Sequence, residues 1–78
     1  MVKVADLVAG NERTLCNIFA RHFNEILAYA ARWRRGERWP PIDATSQGDG
    51  WKINDGFHRI AAAMILDLQE IDVSVADS

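Results

Sequence analysis

The sequence predicts a small α+β domain with a mixed sheet, in the order strand, helix, hairpin, helix, strand. The chain has 78 residues, 49% of them hydrophobic and 26% charged, which is typical of a single folded domain over residues 1–78. Apolar residues recur at three- and four-residue spacing in the first half, which is the period of a helix, and form an almost unbroken run in the second half, which is typical of a buried helix. Short segments of alternating polarity, bounded by Gly, Pro and Asp, are typical of strands and turns.

The first half of the chain predicts one strand and one long helix. Val2-Lys3-Val4 alternates and predicts a strand, followed by a turn at residues 9–11. A single amphipathic helix is predicted from about Glu12 to Gly36, where glycine favours helix termination. Its predicted apolar stripe consists of Leu15, Ile18, Phe19, Phe23, Ile26, Leu27, Ala30 and Trp33.

The second half predicts a hairpin, a buried helix and a closing strand. Residues 41–54 begin at the second of two prolines and contain a turn-forming centre between alternating arms, which predicts a hairpin. Residues 57–68 are apolar almost all round, so we expect the second helix to form the core. Residues 71–75 alternate again and predict a strand with one buried face.

Composition excludes several classes of protein. Cys16 is the single cysteine, so an internal disulfide and a multi-thiolate zinc site are excluded, and its apolar helical surroundings predict that it is buried. No apolar stretch approaches the ~20 residues that span a bilayer, and residues 1–6 lack the pattern of a signal peptide, so we expect a cytoplasmic protein without a membrane partner. A core this small is marginal, and a homodimer would cover more of its surface.

Charge is distributed unevenly along the chain. The net charge is −2, but residues 1–40 carry seven basic and four acidic side chains, whereas residues 41–78 carry two and seven. The basic residues at the end of the first half are either a solvated helix end or part of an interaction surface. With the neighbouring indoles they have the composition of a protein-binding hot spot or a base-stacking platform. This candidate Trp–Arg surface consists of Trp33, Arg34, Arg35, Arg38 and Trp39.

The segment Asn54-Asp55-Gly56-Phe57-His58-Arg59, the 54–59 turn, is the most informative stretch. It lies where a predicted strand gives way to a helix, whose first backbone N–H groups lack partners and attract anions. Glycine permits a close approach, and Arg59 offers a planar fork that matches phosphate. Gly56, His58 and Arg59 are therefore candidate phosphate ligands. The alternative is that Asp55 caps the helix and pairs with Arg59.

The 54–59 turn and its surroundings resemble the N-terminal domain of the ParB and sulfiredoxin superfamily. The resemblance covers about residues 26–76: a proline-led strand, a second strand ending in D-G-F-H-R, an alanine-rich helix and a closing strand. It implies a nucleotide such as CTP or ATP, or nucleic acid such as DNA, bound by Gly56, His58 and Arg59. At this turn sulfiredoxins have a sequence similar to G-C-H-R and use its cysteine as the nucleophile. Phe57 occupies the position of that cysteine here, so a sulfiredoxin reaction is not expected.

Three functional hypotheses follow. The first is a stand-alone ParB-like domain that binds a phosphate-bearing ligand at the 54–59 turn. The second is a non-enzymatic protein-interaction module, such as a phage or mobile-element inhibitor of a host machine, for example in host defence. It would be favoured if Arg59 were locked in an internal salt link and the turn were filled by the chain's own side chains. The third is a nuclease or nucleotide hydrolase relying on His58 and Asp55. We find no metal-ligand spacing, so no metal site is predicted and catalysis has little support.

Overall fold

The computed structural model describes residues 1–76 and is of the α+β class. The last two residues of the predicted 1–78 domain lie outside the described part of the chain. In chain order the elements are β1 (Val2–Lys3), α1 (Val4–Val8), α2 (Glu12–Arg21), α3 (Phe23–Arg34), β2 (Ile42–Gln47), β3 (Gly50–Asp55), α4 (Phe57–Ile65), β4 (Glu70–Ile71) and β5 (Val73–Val75).

The strands form two small sheets. Strand β2 is central in a three-stranded mixed sheet of order β3-β2-β5, antiparallel to β3 and parallel to β5. The register places Asp43 opposite Asp55 and Gln47 opposite Gly50, so the predicted hairpin is confirmed. Strands β1 and β4 pair separately as an antiparallel two-stranded sheet. The predicted closing strand is therefore divided at Asp72, and its two parts lie in different sheets.

Helix α4 lies at the centre of the core, as its apolar composition predicts. Ile60, Ala61, Ala62 and Ala63 are buried, and α4 packs against α3, α2 and α1. The small alanine side chains allow the three helices to approach closely. The remaining core side chains come from both halves of the chain: Val4, Leu7, Leu15, Ile26, Ala30, Ile42, Ala44, Ile53 and Ile71.

The predicted long helix is in fact two helices, and this prediction was wrong. Helix α2 ends at Arg21, His22 takes φ −127° and ψ 30°, and α3 begins at Phe23. The break rotates the second apolar stripe, so Phe23 and Leu27 are 49% and 40% exposed instead of buried. Cys16 is also exposed, contrary to the prediction.

A short helix was missed near the start of the chain. Helix α1 follows β1 directly and buries Val4 and Leu7, so Val4 belongs to a helix instead of the predicted strand. Asn11 holds the turn after α1 to the hairpin, because its Nδ2 donates hydrogen bonds to the carbonyl oxygens of Leu7 at 2.9 Å and Trp51 at 3.0 Å. Helix α1 has only five residues, of which Asp6 alone is polar. This segment is too short to show a helical period.

Candidate functional site

Gly56 initiates α4 in a conformation that only glycine readily adopts. Its φ is +121°, and it occupies the position before the first helical residue. A Cβ atom built there would lie 2.9 Å from Ile42 Cγ1 and 3.1 Å from an Arg59 side-chain nitrogen. The glycine is therefore required by the chain's own packing, since any larger residue would collide with β2 and with the first turn of α4.

Arg59 is directed towards the chain instead of towards solvent. Its Nη1 atom donates hydrogen bonds to the carbonyl oxygens of Pro40 at 2.7 Å and Pro41 at 3.1 Å. Its Nη2 atom lies 3.4 Å from Asp55 Oδ2. The Arg59 side chain is 11% exposed whereas that of Asp55 is 82% exposed, so the pair with Asp55 contributes little. Arg59 thus connects α4 to the proline segment, residues 40–41.

The predicted ligand group is brought together only in part. Gly56, His58 and Arg59 all lie at the start of α4, as the sequence indicates. Arg59, however, uses both Nη atoms within the chain, and His58 contacts α3. Neither the guanidinium nor the imidazole extends freely from the turn.

His58 lies in a group of metal-ligating side chains that the sequence analysis did not recognise. Its Nε2 atom is 3.2 Å from Glu25 Oε2, and the Nδ1 atom of His22 is 3.3 Å from the same oxygen. The ligand atoms of these three residues, here called the His–Glu cluster, all lie within 4.8 Å of one another. His22 and Glu25 are three residues apart at the start of α3, a spacing that places both on one helix face.

Asp55 does not join His58. Its recorded side-chain contact is the one to Arg59, four residues along the chain. The pairing of Asp55 with Arg59 is the alternative that the sequence analysis left open. The hypothesis of a hydrolase built on His58 and Asp55 gains nothing from this arrangement, because the carboxylate beside His58 belongs to Glu25.

Aromatic contacts connect the first turn of α4 to the Trp–Arg surface. The His22 and His58 rings are 5.1 Å apart, and the Tyr29 ring is stacked at 6.4 Å from that of His58. Tyr29 in turn meets the Trp39 ring edge-on at 6.3 Å, and the Trp39 indole N–H donates to the Tyr29 carbonyl oxygen at 3.0 Å. The two candidate regions are therefore neighbours across one side of α3.

Three members of the Trp–Arg surface contact one another through their side chains. Trp33 and Trp39 lie with ring centroids 4.5 Å apart, and the Arg38 guanidinium carbon is 4.1 Å from the Trp33 ring centroid. Arg38 also donates a hydrogen bond to the Trp33 carbonyl oxygen at 3.2 Å. Both indoles are half-buried, and the structure brings Trp33, Arg38 and Trp39 together.

The other two predicted members of the Trp–Arg surface are exposed cations. Arg34 lies in the last turn of α3, and Arg35 follows at its C-cap and pairs with Glu37 at 3.3 Å. A pocket of about 80 Å³ lies beside the indoles of Trp33 and Trp39. Its lining consists of Met1, Trp33, Arg38, Trp39, Pro40, Ile42, Ile71 and Asp72.

Comparison with known proteins gives no relative. No family model matches the chain, and neither a curated protein nor a solved structure matches it. The resemblance to the ParB and sulfiredoxin superfamily stays a prediction. Within residues 1–76, none of the helices has the length and hydrophobicity needed to cross a membrane.

Proposed function

We propose that this domain is a protein-interaction module whose Trp–Arg surface binds an acidic segment of a partner protein. The observation that carries the proposal is the contact of Arg38 with the face of Trp33, and of Trp33 with Trp39, beside an open pocket. Tryptophan and arginine are the residue types most enriched among interface hot spots. A pocket of this size accommodates a small aliphatic side chain, which would anchor the partner.

The charge of the surface determines the class of partner. Arg32, Arg34, Arg35 and Arg38 lie at the end of α3 and just beyond it, with Glu37 as the acidic residue among them. A local excess of positive charge attracts carboxylates and speeds association with an acidic partner. We assign the carboxylates of the partner to these arginines and its apolar anchor to the pocket.

Protein is favoured over nucleic acid for two reasons. The guanidinium of Arg38 covers one face of Trp33, and Trp39 packs against the same ring, so a stacking base would have to displace a ready-made contact. Asp72 also lines the pocket and disfavours any anionic group there, whereas the apolar anchor of a protein segment suits the pocket. The carboxylates of that segment bind instead the exposed guanidinium groups of Arg34 and Arg35.

The 54–59 turn supports the same choice, because Arg59 already has partners. A phosphate there would have to compete with the Pro40 and Pro41 carbonyl oxygens for the guanidinium. The phosphate-binding hypothesis, with CTP, ATP or DNA as ligand, stays a prediction that the same experiment tests.

The test is an NMR titration of the whole chain with an acidic peptide that carries one leucine anchor. We expect the Trp33 indole N–H to shift and the affinity to fall as salt is added, because exposed charges are screened. Arg38→Ala should weaken binding at least about tenfold, the effect of losing roughly 1.4 kcal/mol. Arg13→Ala, an exposed arginine of α2, is the matched control and should leave affinity unchanged.

Two results would contradict the proposal. One is an acidic peptide that binds the Arg38→Ala variant as tightly as the unmodified chain. The other is saturable binding of CTP, ATP or a short DNA duplex that shifts the backbone amides of residues 56–59, while the peptide gives no response. That second result would establish the phosphate-binding hypothesis.

A further inference from the structure

The side chains of His22, Glu25 and His58 form a compact set of nitrogen and oxygen ligands where three helical segments meet. His22 lies at the break between α2 and α3, Glu25 lies in the first turn of α3, and His58 lies in the first turn of α4. Helices α3 and α4 pack directly on each other, so the three positions are fixed by the core beneath them. These residues are up to 36 positions apart in the chain, so only folding assembles them.

The distances fit a metal ion bridging the three side chains. In a tetrahedral zinc site with bonds of about 2.0–2.1 Å, two ligand atoms lie about 3.3 Å apart. The contacts of Glu25 Oε2 with His22 Nδ1 and His58 Nε2 are 3.3 and 3.2 Å. The His22 side chain is 44% exposed and can rotate to bring its nitrogen nearer to that of His58.

The imidazole of His58 provides a second, independent observation. Its Nε2 atom is buried and has no hydrogen-bond partner within residues 1–76, because the 3.2 Å contact with Glu25 lacks hydrogen-bond geometry. A buried polar atom left unpaired is costly and indicates a missing partner. The Tyr29 ring lies roughly parallel to the imidazole with centroids 6.4 Å apart, and the unpaired Nε2 atom lies 3.2 Å from Glu25 Oε2.

We propose that His22, Glu25 and His58 bind a first-row transition-metal dication. Two imidazole nitrogens and one carboxylate oxygen suit Zn²⁺, Co²⁺ or Fe²⁺ and are a poor set for Mg²⁺ or Ca²⁺, which prefer oxygen ligands. The cluster is open to solvent on the side of His22 and Glu25, which are 44% and 63% exposed, so water completes the coordination. The ion connects the break after α2 to the start of α4.

The experiment is a calorimetric titration of the whole chain with ZnCl₂, repeated with Co²⁺ and its visible absorption. We expect one ion per chain, a higher unfolding temperature with zinc, and a shift of the ¹⁵N resonances of His22 Nδ1 and His58 Nε2. His22→Ala and Glu25→Gln should each weaken binding about tenfold or more. Both positions are exposed, so these variants should keep the fold without metal.

Two controls separate this cluster from other ligands of the chain. Glu37→Gln removes an exposed carboxylate outside the cluster, and Cys16→Ser removes the exposed thiol, which is a strong zinc ligand in its own right. Neither should change the zinc affinity. The proposal is overturned if the unmodified chain shows no saturable zinc binding, if His22→Ala and Glu25→Gln bind as tightly as it does, or if Cys16→Ser abolishes binding. Should a variant unfold, the imidazole ¹⁵N shifts of the unmodified chain decide the question.

Discussion

Replacing Arg59 with alanine removes the guanidinium that connects α4 to the proline segment. Hydrogen bonds from a charged donor each contribute about 1.5–3 kcal/mol to stability. Arg59 makes two such bonds, to the Pro40 and Pro41 carbonyl oxygens, but both prolines are exposed, so water recovers part of the loss. The contact with the exposed Asp55 adds little. We expect Arg59→Ala to lower the free energy of unfolding by about 2–4 kcal/mol.

Urea denaturation followed by circular dichroism measures this loss. A domain of this length is stable by about 4–12 kcal/mol, so the variant should lose a large part of its stability. In thermal unfolding the midpoint should fall by on the order of 10–30 °C, since about 1 kcal/mol corresponds to roughly 4–8 °C in a small domain. Asp55→Ala is the matched control, because it removes the exposed partner of Arg59 and should cost less than about 1 kcal/mol.

The reasoning is refuted if Arg59→Ala changes the unfolding free energy by less than about 0.5 kcal/mol, the usual effect of a surface substitution. Arg59→Lys distinguishes the effect of the positive charge from that of the planar guanidinium group. Lysine cannot reproduce the planar fork that reaches two carbonyl oxygens, so we expect this variant to recover less than half of the loss. Full recovery would mean that charge alone holds the segment.

Two further substitutions test the backbone. Gly56→Ala should lower the unfolding free energy by at least about 2–3 kcal/mol, because the new Cβ combines a strained φ with a collision at Ile42. Gly48→Ala is the control, since its φ of +58° is strained but the space beside it is open, and a urea titration should give a loss of only about 1 kcal/mol. Equal losses would refute the packing argument. Asp67→Gly should stabilise the fold by about 0.5–1 kcal/mol in the same assay, because Asp67 has φ +56° just after α4; destabilisation would contradict this.

The hairpin and α4 could be predicted because their signals are local. Two prolines, a Gly-Asp-Gly turn and alternating arms specify the hairpin within a few residues, and an unbroken apolar run specifies a buried helix. The break at His22 could not be predicted in this way, since neither glycine nor proline marks it. It depends on how α2 and α3 each pack on α4, which is tertiary information.

The same distinction between local and tertiary information applies to the candidate sites. Gly56, His58 and Arg59 are close in the chain, so their proximity was predictable, but the role of Arg59 depends on Pro40 and Pro41, which precede it by 19 and 18 residues. The planar guanidinium of Arg59 can bind a phosphate or two backbone carbonyl oxygens equally well. The sequence does not show which of these partners it has. The His–Glu cluster was missed because His58 follows His22 and Glu25 by 36 and 33 residues, so only the packing of α4 on α3 brings the three side chains together.

The edge-on contact of Tyr29 with Trp39 provides an intrinsic fluorescence signal for the folded domain. Tyr29 is the single tyrosine of the sequence, and its ring centroid lies 6.3 Å from that of Trp39. At such separations an excited phenol passes its energy to indole before it can emit. The fluorescence of Tyr29 should therefore be quenched in the native domain and recover when the rings of Tyr29 and Trp39 move apart. Its intensity then reports, without a label, on the separation of the segment around Trp39 from α3.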